Sequence, residues 1–121
     1  MAIHQELKRL EGVAKNLGYE VVYCSRNRCV VDHKIITLDS RQSAIHKVFA
    51  LAHEIGHAKT LQKCKKELKC LTREGNDRSW STLESEFRAW AYADNLVRNM
   101  AMYSRDYLKF KHFHFGSYYR F

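Results

Sequence analysis

Proline is absent from the 121-residue chain and glycine occurs only five times. Most of the usual punctuation of a fold is therefore missing, and element boundaries have to be read from periodicity. No apolar run approaches the roughly 18 residues that span a bilayer, which argues against a transmembrane helix. The opening stretch Met1-Ala-Ile-His-Gln-Glu-Leu-Lys-Arg-Leu10 has no apolar signal core, so the expected compartment is the cytoplasm, with no membrane partner. In that compartment Cys24, Cys29, Cys64 and Cys70 are expected as reduced thiols. Their spacing lacks the tight C-x-x-C form, leaving two disulfides or a four-cysteine zinc site as lesser alternatives. Acidic residues are also scarce: 13 against 21 Lys and Arg, for a net charge of +8. Such a surface favours acidic partners such as nucleic acid, an anionic membrane face or an acidic protein, or simply keeps the chain in solution, and charge alone does not choose between them.

What is present describes a folded α+β domain. Apolar residues make up 45% of the chain and aromatics 12%, which excludes a disordered chain. Ile3, Leu7, Leu10, Val13, Ala14 and Leu17 recur at helical spacing, predicting a helix over 2–17 that Gly18 ends. Residues 19–24 and 29–38 are rich in β-branched and aromatic side chains, and the polar segment 25–28 between them predicts a hairpin. Asp39 and Gln42 resemble a capping box opening a helix over 41–61. Residues 63–81 read as a polar, basic connection with room for a short helix; connections of this length often form lids, and more commonly solvated loops. A second long helix is expected over 82–102, then a basic aromatic tail from about 103. With no internal repeat and no linker, 1–121 is read as one domain.

The densest chemical signal lies in the first of these long helices. His53-Glu54-Ile55-Gly56-His57 is an H-E-x-x-H run within the apolar stretch 48–58. Histidines at i and i+4 lie one turn apart on one helical face, roughly 6 Å from each other. Both imidazoles can then bind one Zn²⁺, with Glu54 beside the remaining position as general base. Gly56 removes a side chain and so lets another backbone pack close to this helix.

A catalytic zinc needs a third protein ligand. Glu86 lies one turn before Ala89, a small residue that allows close helix packing. Glu84 points about 200° around the same helix from Glu86. Glu74 and Asp77 sit in the connection, and His112 and His114 in the tail are weaker rivals. His4, His33 and His46 receive no role. Arg88, Tyr92 and Tyr103 are candidates for polarising a substrate carbonyl, and spacing selects none of them.

Ile35-Ile-Thr-Leu38, Ala50-Leu-Ala-His-Glu-Ile-Gly-His57 and Glu86-Phe-Arg-Ala-Trp-Ala-Tyr-Ala93 together resemble the ImmA/IrrE-type zincin metallopeptidases over about residues 15–97. That resemblance implies a zincin-like fold: an N-terminal helix, a small sheet, the H-E-x-x-H helix and a later helix reading E-x-x-A-(N/D/E)-x-(F/Y)-A. It implies His53, His57 and Glu86 as zinc ligands and Glu54 as the catalytic base. Trp90 stands where the family usually carries Asn, Asp or Glu. The resemblance further implies a regulatory protein substrate such as a helix-turn-helix repressor, in a phage or mobile-element setting. The alternatives are a non-proteolytic zinc-containing anti-repressor or binding module for protein or nucleic acid, and a DNA-associated protease of the SprT-like sort. A peptide substrate is expected to lie along a strand edge of the 19–38 hairpin.

Overall fold

The computed structural model describes residues 3–61, 80–98, 100 and 104–115. The sequence readings at Glu74, Asp77, Tyr103, Cys64 and Cys70, and nearly all of the 63–81 connection, lie outside the described residues. Helix α1 (Ile3–Asn16) opens the chain. Its apolar stripe buries Leu10 and Ala14 completely. Gly18 closes it at φ 87°, a left-handed conformation that favours glycine. The Gly18 and Tyr19 amides donate back to the carbonyls of Lys15 and Ala14, at 2.9 and 3.0 Å.

Three strands follow: β1 (Glu20–Cys24), β2 (Arg28–Val30) and β3 (Ile35–Asp39). The expected hairpin is corrected here. β1 and β2 do not pair with each other, because the sheet order is β1-β3-β2. β1 runs parallel to β3, with Glu20 opposite Ile35, and β2 runs antiparallel to it, with Cys29 opposite Ile36. The apolar run 29–38 is not one strand either. A 3-10 turn at Val31–His33 breaks it, and Lys34 at φ 56° reverses the chain so that β3 returns between its neighbours. On that central strand Ile36 and Leu38 point into the core and are fully buried.

Helix α2 (Ala44–Leu61) runs through the middle of the molecule. It starts three residues later than the capping-box reading places it. Ser43 is the residue that caps it, its Oγ accepting from the His46 amide at 3.3 Å. Asp39 instead accepts the Arg41 amide at 2.9 Å in a tight turn. Gln42 is drawn away to Asn27, with amide contacts of 2.8 and 3.2 Å. Asn27 Oδ1 also accepts the Asp39 amide at 2.8 Å, so this one side chain ties the β1–β2 bend to the entrance of α2.

Helix α3 (Trp80–Val97) packs along α2. It is not continuous to 102. Beyond Val97 the chain turns, and the expected tail forms a further helix, α4 (Ser104–Phe115). Tyr107 and Phe110 of α4 are buried against Phe49 and Trp90. Arg9 of α1 reaches across to donate to the Leu96 carbonyl at 3.1 Å, near the end of α3. The result is α+β, with one small sheet and four helices among the described residues. Among those residues, no helix is long and apolar enough to cross a membrane.

Candidate metal centre

The centre arises where α2 and α3 touch. A Cβ built on Gly56 would fall 2.2 Å from the Ala89 carbonyl oxygen and 2.9 Å from its Cα. Only a hydrogen fits there, so the two backbones meet at closest approach at this point. Glu86, one turn before Ala89, is thereby carried over the α2 face that bears His53 and His57. Its carboxylate spans both rings: Oε1 lies 3.0 Å from His53 Nε2 and Oε2 lies 2.5 Å from His57 Nε2. One ligand atom from each of the three residues falls within 4.8 Å of the others. Glu84, two positions away, points to the exposed flank of α3 and pairs there with Arg88 at 2.6 Å.

Burial makes this cluster costly without a cation. Glu86 and His57 are buried, and His53 is the most exposed of the three at 14% of its side chain. Burial opposes a charge on His53, but the Glu54 and Glu86 carboxylates outweigh it and raise its pKa to about 10. Burial likewise opposes a charge on Glu86, and the two imidazoles nevertheless hold its carboxyl well below the usual carboxylate range. Metal-free, the site therefore holds a proton between carboxylate and imidazole where a divalent cation fits. His57 Nδ1 is buried with no hydrogen-bond partner among the described residues. Two imidazole nitrogens and one carboxylate form a recurrent catalytic zinc donor set.

Two further groups border the cluster. Glu54 is buried, with Oε2 3.3 Å from His53 Nδ1. Trp90 is buried and lies flat on the His53 ring, 4.1 Å between centroids at 12°. Trp90 thus orients the His53 imidazole by stacking. Cys29 on β2 also faces this region: burial pushes its thiol up, the Glu54 charge adds to that, and a Tyr19 hydrogen bond opposes it. β2 therefore borders the centre, and its outer edge has no strand partner among the described residues.

The remaining sequence candidates fall elsewhere. His4 and His33 are exposed on α1 and the 3-10 turn. Tyr92 packs against the core. His112 is exposed on α4 and is not in the cluster. His114 is also outside the cluster, but it feels the centre: burial lowers its pKa first, and His53 and His46 lower it further against the pull of Glu54 and Glu86. Sequence reasoning passes over His46, which lies on the same α2 face as His53. It helps line a groove of about 620 Å³ between the first turns of α2 and helix α4, with Ile45, Lys109, Phe110, Phe113 and His114. The signal is available in the sequence, since residues 46 and 53 are two turns apart on one helix.

The family model described as IrrE N-terminal-like domain, Peptidase_M78, matches residues 13–100. No curated protein and no solved structure matches the chain.

Proposed function

We propose, because this chain belongs to the IrrE N-terminal-like (Peptidase_M78) family, that it is a zinc metallopeptidase holding its metal with His53, His57 and Glu86. The family marks it as a metallopeptidase-type domain with a protein substrate. The observation that carries the finer reading is the Glu86 carboxylate set across both Nε2 atoms of the H-E-x-x-H histidines.

Zinc bound there supplies Lewis acidity, which polarises a peptide carbonyl and acidifies water. The protein does the rest. His53 and His57 present their Nε2 lone pairs from a rigid helix, and Glu86 brings one negative charge to offset the cation. Trp90 fixes the plane of the His53 ring. Glu54 takes a proton from the attacking water and passes it to the leaving amine. The outer edge of β2, bordering Glu54 through Cys29, is suited to receive an extended peptide by strand addition. We read the whole of 1–121 as one zincin-like domain acting in the cytoplasm. Its net charge of +8 supports approach to a repressor seated on DNA, attracted by the phosphates.

A second reading, a zinc-containing module that binds a repressor or nucleic acid without cutting, draws on Arg105, Lys109 and His112 exposed along α4. Glu54→Gln separates the two. Cleavage stops in the first reading, whereas binding function survives in the second. The test of the site itself is elemental analysis of purified protein beside Glu86→Ala. About one zinc per chain, lost in the variant, supports the three-residue site and justifies a screen against helix-turn-helix repressors. A wild-type chain that takes up no zinc when it is supplied sinks the peptidase reading.

A further inference from the structure

The groove between α2 and α4 lies outside the metal cluster but shares helix α2 with it. His46 sits seven positions before His53, which is two turns and about 10.5 Å along the helix axis on nearly the same face. The groove therefore opens about three extended residues from the metal centre, with the buried Ala50 between them on that face. His114 also lines the groove, its ring 4.3 Å from that of Phe110, and it is close enough to the centre to feel the charges of His53, Glu54 and Glu86.

The lining gives the chemistry of the occupant. Phe110 and Ile45 supply an apolar floor, and the His46 ring lies 5.2 Å from that of Phe110. Phe113 forms one wall and is 78% exposed, an unusual position for a large ring. Lys109 and Asp106 sit at the rim, where they are placed to meet polar backbone. At about 620 Å³ the groove falls in the range of pockets that enclose small ligands.

We propose that this groove is a substrate subsite that takes a bulky apolar side chain, aromatic or branched aliphatic, within about three residues of the scissile bond. The proposal rests on the peptidase reading above. It makes the substrate an extended segment carrying such a residue, and it makes Phe113 the specificity-determining wall.

The test uses the full zinc-loaded chain carrying Glu54→Gln, so that peptides stay intact. The probes are blocked alanine heptapeptides with a single central Phe, Leu, Asp or Lys, titrated by NMR. The Phe and Leu peptides are expected to bind about tenfold more tightly than the Asp and Lys peptides. Shifts should concentrate on Ile45 and Phe110. Phe113→Glu, at an exposed position, should abolish the difference with zinc content unchanged. Equal binding of all four peptides, no binding, or selectivity that survives Phe113→Glu overturns the subsite. So does a dimer at the assay concentration whose contact covers the groove and leaves it blind to peptide. Failure of the underlying reading looks different. A zinc-loaded wild type that cleaves without apolar preference keeps the peptidase and loses the subsite. Apolar selectivity in a chain that takes up no zinc loses the peptidase, and the subsite as part of it.

Discussion

The second half of α2 has a tight flank, where the backbone of α3 comes so close that a methyl group at Gly56 would overlap the Ala89 carbonyl. Two turns earlier, on nearly the same face, the flank is looser and rings stand between α2 and α4: Phe49 meets Tyr107 at 5.3 Å and Phe110 at 5.7 Å. Small residues make the first contact short and fix the helix register, which a three-ligand centre requires. Large residues hold α4 further off and leave the groove. One helix thus carries a rigid stretch, where ligand atoms converge, and a looser one two turns earlier, where the groove opens.

The sharpest way to test that division is to damage the looser flank alone. Phe49→Ala empties the space beneath Tyr107 and Phe110. It is expected to cost about 4 kcal/mol, a fall in Tm of roughly 15 °C, while the folded protein still binds zinc. Loss of zinc at temperatures where the variant remains folded would show that the two flanks are not separable. Gly56→Ala attacks the tight flank. Overpacking there should cost about 3 kcal/mol, and zinc affinity should fall with it because Glu86 is pushed off the histidines. Calorimetry would give both numbers, and a variant that keeps full affinity refutes the close-approach account. Trp90→Phe keeps an aromatic ring against His53 but with less overlap. A cost of about 2 kcal/mol and roughly tenfold weaker zinc binding are expected.

Acidity probes the tight flank without mutation. His53 has a pKa of about 10 in the metal-free chain, so at pH 7 its proton must leave when zinc enters. Zinc titrations in buffers of different ionisation enthalpy should report about one proton released per ion. Affinity should weaken about tenfold for each unit the pH falls, or about 1.4 kcal/mol. The raised pKa has a definite sign for stability. Its contribution is complete below the ordinary histidine value near 6.5 and is lost as pH rises through about 10. Metal-free protein should therefore weaken on alkalinisation, and an unchanged Tm up to about pH 10.5 contradicts the imidazolium–carboxylate pairing. The smallest effect belongs to the entrance of α2. Ser43→Ala removes the cap on His46 and should cost about 1 kcal/mol with zinc binding unchanged.

The tight flank is legible in the sequence because helical periodicity fixes which residues share a face. His53 and His57 at i and i+4 follow directly, and Gly56 and Ala89 are the small residues whose closeness delivers Glu86. The sheet is not legible in the same way, because the hairpin reading assumes that neighbouring strands pair. Nothing marks the 3-10 turn that separates β2 from β3. The left-handed position falls on Lys34, where neither glycine nor asparagine announces it. The tail is read only as basic and aromatic, with no element assigned to it. Tyr107, Phe110 and His114 recur at three and four, however, and that spacing describes the helix observed. The cap moves from Asp39 to Ser43 because Asn27 takes Gln42 into a tertiary contact, which local patterns do not reveal.

The bridge from His53 to Glu86 also has a meaning for the unfolded chain. It joins positions 33 apart in sequence, so a metal held there acts as a removable cross-link. Closing a loop of that length withdraws conformational freedom from the denatured ensemble worth about 4 kcal/mol by the relation used for disulfides. The ion that would serve the chemistry would then also shorten the search by which α2 and α3 find each other, and chelation would return that freedom to the chain.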